Sequence, residues 1–344
     1  MRCVLAMLMA VVVARADAAP LPASEITSSD AALAWISAYR PRAFATAPAA
    51  VRAMSRYGLL RKPDSAGVYV GFIAGVLRSR PDRADALVAR MFPLPAEDHW
   101  VIVRAIAWSG LPGWKDLLRR NAARMPTRAV MIEKYLDGAL PTLDQLDLAD
   151  HSVSWFARLR GDVGKVFGAK PPAKAVRLEP GPDVIDTLWG TYYATRDGAA
   201  ITPLLAMLPW SKDRDSVEKL TLGSIAKFTL ASNAARDPEL LVLIKRMRAQ
   251  QPQAVAPVLD DVIAAADTVD VARVRGEALA AVDTLKRKGP GTKRDMAWWG
   301  QIGEGALAAG CIAAGVTGHV EVGVPCVVGG AVSSAALRHW TTPD

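Results

Sequence analysis

Histidine and cysteine are scarce: four histidines and three cysteines in 344 residues. His99, His151, His319 and His339 are scattered, with neither His-Glu-x-x-His nor Cys-x-x-Cys among them, so the spacings that build common zinc and redox centres are missing. No Gly-x-Ser-x-Gly elbow and no phosphate-binding P-loop occurs. Ser224 and Lys227 match the Ser-x-x-Lys spacing of serine acylases, but the Ser-Asp-Asn and Lys-Thr-Gly partners are absent. Gly303-Glu304-Gly305-Ala306-Leu307-Ala308 fits a dinucleotide fingerprint in letters only, because too little chain follows it to form the required sheet. The carboxylate pairs Asp183/Asp186 and Asp260/Asp261 have the chemistry for acid/base work, but Asp183 follows Pro182 at a helix start, where favourable interaction with the helix dipole is the plainer account. No catalytic residue, no cofactor and no metal is expected.

Long hydrophobic runs are also few. The run from Cys3 to Ala14 follows Met1-Arg2 and precedes Ala16-Asp17-Ala18. It is too short to span a bilayer and has the outline of a secretory signal peptide over residues 1–18. Cys3 lies ahead of the run, not at its cleavage point, which argues against a lipoprotein anchor. Export, to a bacterial periplasm or beyond, is the expectation. The net charge of +8 is spread along the chain and favours anionic envelope surfaces; nucleic acid is not an expected partner.

What the chain does have is helical periodicity. Hydrophobic residues make up 51% and charged residues 22%, a globular balance. The stretch 67–93 is echoed at 183–209, a shift of 116 positions without a gap. Val68, Tyr69, Phe72, Ile73, Val76 and Leu77 fall on Val184, Ile185, Leu188, Trp189, Tyr192 and Tyr193, all apolar at helical spacing. Five of the 27 aligned residues are identical, so the apolar pattern carries more of the likeness than the identities do. Each stretch reads as a helix with one broad apolar face, a turn, and a second helix stopped by proline. Further helices are expected around 49–60, 100–108, 114–125, 128–136, 238–247 and 255–265, punctuated by proline or glycine.

The expected fold is therefore all-α, a helical-repeat, α-solenoid-like array of two related blocks with a C-terminal Gly/Ala-rich helical hairpin. The first block covers 19–139 and the second 183–285, and a Gly/Pro-rich linker region with a short helix, 140–182, lies between them. A basic linker at 286–296 carries Lys286, Arg287, Lys288, Lys293 and Arg294, a contact point for anionic surfaces. The hairpin, 297–344, holds Cys311 and Cys326 symmetrically about its middle. In an exported chain these two should form a disulfide, contributing about 3 kcal/mol in the chain-entropy model.

The copies differ most in their aromatics. Trp189, Tyr192, Tyr193 and Trp210, with Arg196 and Lys227 nearby, are the expected ligand-binding set if the array has a groove. The leading function is an exported, non-enzymatic binding or scaffolding protein of the bacterial cell envelope with a protein or peptide partner. The alternatives are an envelope protein in peripheral membrane contact through its hairpin and basic linker, and an envelope-polymer hydrolase.

Overall fold

The computed structural model describes residues 22–148, 176–268, 270–277 and 280. The stretches expected to form a signal segment (1–18), a short helix in the linker region, a basic linker (286–296) and a hairpin with two cysteines (297–344) lie outside the described residues. Within them the protein is all-α, and its extended pairing is an isolated bridge between Leu146 and Leu178.

The first part begins with α1 (Ser29–Ala38), whose entry Ser28 caps by accepting from the Ala31 N–H at 3.1 Å. After a 3-10 turn (Pro41–Thr46) come α2 (Ala47–Arg56), α3 (Gly67–Ser79) and α4 (Ala84–Met91). Next are α5 (His99–Ala107), α6 (Trp114–Asn121) and α7 (Ala129–Leu136). Gly138 follows α7 at φ 73, the left-handed exit that glycine makes cheaply. The second part contains α8 (Pro182–Thr195), α9 (Thr202–Met207), α10 (Val217–Ala234), α11 (Pro238–Arg248) and α12 (Ala256–Asp267), then a helical stretch over 271–277.

Two helices occupy the centre. Every residue of α3 from Gly67 to Leu77 and of α8 from Val184 to Ala194 is buried. The expectation of one apolar face is corrected here: each is covered all round, as befits a helix inside the molecule. α3 packs mainly on α8, then on α5, and also touches α2 and α4; α8 is further covered by α1, α9 and α10. α10 in turn packs against the Leu208–Lys212 turn, α12, α9 and α11.

The contact between α3 and α8 is made possible by glycine. Gly67, Gly71 and Gly75 recur every four residues and so share one face of α3. A Cβ on Gly71 would run into the Thr187 carbonyl, and one on Gly67 into the Asp183 carbonyl. One on Gly75 would stand 2.7 Å from the Ala194 Cβ and 3.0 Å from the Thr191 carbonyl oxygen. From the other side, Gly190 presses on the Val68 carbonyl. The Thr187 hydroxyl donates to the carbonyls of Gly67 (3.1 Å) and Asp183 (2.8 Å). Thr191 does the same to Gly71 (3.3 Å) and Thr187 (2.9 Å). The helices thus run parallel, and Gly67/Asp183, Gly71/Thr187 and Gly75/Thr191 are pairs related by the same shift of 116 seen in the sequence.

Candidate functional site

Where the end of α5, the 143–148 segment, α8 and the α8–α9 turn converge, they leave a cleft of about 300 Å³. Its floor is formed by Trp108, Ser109, Leu188, Thr191 and Ala200, all buried; Leu143, Leu146 and Pro203 form half-buried walls. The 143–148 wall is pinned by the bridge: the Asp147 N–H donates to the Leu178 carbonyl at 2.9 Å, and the Leu178 N–H to that of Gln145 at 3.0 Å. Arg177 and Asp147 add an ion pair at 2.6 Å.

The polar atoms of the floor are already used. The Trp108 indole donates to the Pro141 carbonyl at 3.0 Å. The Ser109 hydroxyl donates to the Ile106 carbonyl at 2.7 Å, and Thr191 is committed to the α3–α8 contact. What the cleft offers is consequently apolar surface, which gains by covering another apolar group. Charges stand on its rim: Arg78 pairs with Asp197 at 3.7 Å, and the exposed Asp144 has no partner among the described residues. Behind the floor, Arg104 lies 5.3 Å from the Trp108 ring centre and 5.0 Å from that of Trp100.

The residues expected to bind a ligand have different surroundings. Trp189, Tyr192, Tyr193 and Arg196 are brought together, but inside the protein. The Trp189 indole donates to Thr229 (3.1 Å) and the Tyr193 hydroxyl to Asn233 (3.1 Å). The Tyr192 hydroxyl donates to Asp237 at 3.3 Å. Burial pushes both tyrosine hydroxyls well above their ordinary range of ionisation. Arg196 lies over both rings, pairs with Asp237 at 2.6 Å, and donates to the carbonyls of Ser37 and Tyr39.

Lys227 is not in this group. It is buried, with its nitrogen 2.8 Å from Glu277 and 3.5 Å from Asp261, so the Lys227 head group is engaged by these two carboxylates. Trp210 is half-buried, fitted over Gly223, where a Cβ would stand 2.8 Å from the Trp210 Cβ. Lys286, Arg287, Lys288, Lys293, Arg294, Cys311 and Cys326 fall outside the described residues.

One buried polar group was not visible beforehand. The Ser55 hydroxyl donates to Asp98 at 2.5 Å, while neighbouring His99 uses Nε2 on the Leu94 carbonyl at 3.0 Å. The histidine does not reach the serine, so the three do not form a nucleophilic relay. Among the described residues no cluster of His, Cys, Asp and Glu is placed to hold a metal.

The cleft itself was missed in the sequence because its lining comes from separate stretches, each apolar for ordinary reasons. Comparison with protein-family models, with curated proteins and with solved structures returns no match.

Proposed function

We propose that this chain is an exported, non-enzymatic binding or scaffolding protein of the bacterial envelope. On this reading it is built from two related helical blocks joined through α3 and α8, and its partner is a protein or peptide. The observation that carries the reading is the cleft: about 300 Å³, apolar, with the polar atoms of its floor satisfied from within. That volume is at the lower end of ligand sites and suits one bulky apolar side chain as an anchor. Leu188 and Thr191 of the floor belong to α8, which is buried from Val184 to Ala194, so the seat exists before a partner arrives, which lowers the ordering cost of binding.

Ala199 lines the cleft at its exposed rim. Affinity capture from an envelope extract with wild-type and Ala199→Trp protein tests the proposal. A peptide or protein held by the wild type should be lost about tenfold or more from the filled variant, with unchanged thermal melting. Equal capture by both would remove the cleft as the seat. No capture by either would remove the binding reading.

A further inference from the structure

A second surface is distinguished by charge. Residues 31–63 contain no Asp or Glu, yet carry Arg40, Arg42, Arg52, Arg56, Arg61 and Lys62. The fold adds two more guanidiniums to this stretch. Arg90 of α4 donates to the Ala45 carbonyl at 3.4 Å, and Arg52 of α2 donates to the carbonyl of Arg90. Arg80 lies over the Phe44 ring, 4.6 Å from its centre. Arg52 and Arg56, four residues apart, share a face of α2.

Arg42, Arg52, Arg56, Arg80 and Arg90 are therefore gathered around the Pro41–Thr46 turn and α2. Among the described residues none of the five has a carboxylate partner, whereas Arg61 pairs with Glu97, Arg83 with Asp82 and Arg120 with Asp85. Like charges brought together without counter-ions repel one another, and an external anion relieves that repulsion.

We propose that this face docks on an anionic phospholipid bilayer. The guanidiniums are spread over a turn and two helices instead of converging on one point, which matches many headgroups better than a single bound anion. Tyr57, next to Arg56, is 49% exposed, an aromatic of the kind that settles at a membrane interface. No helix among the described residues is long and apolar enough to cross a membrane, and the docking proposed is peripheral. This inference is independent of the cleft.

The test is co-sedimentation of the full mature chain with vesicles, either pure phosphatidylcholine or containing about one-third phosphatidylglycerol. Arg42 and Arg56 make no hydrogen bond or ion pair to described groups, so the Arg42→Glu/Arg56→Glu variant should melt as the wild type does. A second variant, Lys286→Glu/Arg287→Glu/Lys288→Glu, controls for the basic linker. Wild type and linker variant should bind the anionic vesicles and not the neutral ones, and Arg42→Glu/Arg56→Glu should bind at least about tenfold more weakly. Undiminished binding by Arg42→Glu/Arg56→Glu overturns the proposal. So does binding of the wild type to heparin but not to vesicles, which would identify a soluble polyanion as the partner.

Discussion

Arg196 shows how much one side chain can hold. It closes α8 in the left-handed region, at φ 57, an uncomfortable backbone for a residue with a Cβ. Its guanidinium joins α8 to Asp237 at the start of α11 and to the last carbonyls around α1. Replacing it with alanine removes the ion pair and leaves two carbonyls short of a donor, which should cost about 3 kcal/mol in chemical denaturation. Arg196→Gly loses the same bonds but relieves the backbone, so it should be more stable than Arg196→Ala by about 1 kcal/mol. Equal stabilities would mean that the left-handed exit carries no strain. The identity of Arg80 and Arg196 is legible in the sequence; what each guanidinium grips is not, because Phe44, Ser37, Tyr39 and Asp237 lie far from them along the chain.

Among elements, the α3–α8 contact is the one most exposed to substitution. Gly71→Ala would place a methyl group inside the Thr187 carbonyl, where rigid backbone on both sides leaves nowhere to yield. A loss of about 3 kcal/mol or more is expected, measured as the midpoint of thermal or urea unfolding. Alanine at Gly113, whose added Cβ would meet nothing within 4 Å, is the control and should cost only the preference of a helix N-cap for glycine over alanine, about 1 kcal/mol or less.

The helices themselves were largely readable from periodicity and punctuation. The expected 128–136 and 238–247 correspond to α7 (Ala129–Leu136) and α11 (Pro238–Arg248). The expected 114–125 ends early: α6 stops at Asn121 and tightens into a 3-10 turn over Ala122–Arg124. Pro126 restricts the backbone of Met125 and so disturbs the last turn before it. The four-residue glycine spacing of α3 was in plain view, but a glycine stripe names no partner. Only the fold identifies Thr187 and Thr191 as the groups that fill it.

For the molecule as a whole, burial of tyrosine sets a limit at high pH. Tyr39, Tyr69, Tyr135, Tyr192 and Tyr193 are all pushed above the ordinary range, chiefly by burial, Tyr69 up to about 12. Below about pH 10 both folded and unfolded chains keep these protons, and the folded state loses nothing. Above it the unfolded chain releases them first, so stability falls as pH rises, by about 1.4 kcal/mol per pH unit for each tyrosine. Urea midpoints should drop steeply between pH 10 and about 12, and near-ultraviolet absorbance should show these five ionising together with unfolding. Ionisation of all five ahead of unfolding would contradict their burial. At this scale the sequence was least informative: an aromatic cluster is visible as letters, but whether it faces a groove or the interior depends on Thr229, Asn233 and Asp237 arriving from α10 and its end.

The parallel course of α3 and α8 has an electrical consequence. In an antiparallel pair the helix dipoles oppose and largely cancel; here they point the same way and add. Both partly negative carboxyl ends lie at the same end of the pair, where Gly75 meets Thr191 and Ala194, and the end of α8 adjoins the Ser37 and Tyr39 carbonyls through Arg196. Arg78 and Arg196 stand at that end, while Asp183 and Asp186 occupy the first turns of α8 at the other. The two central helices thus act as a single dipole of roughly doubled strength, with arginines as built-in counter-charges at its negative pole.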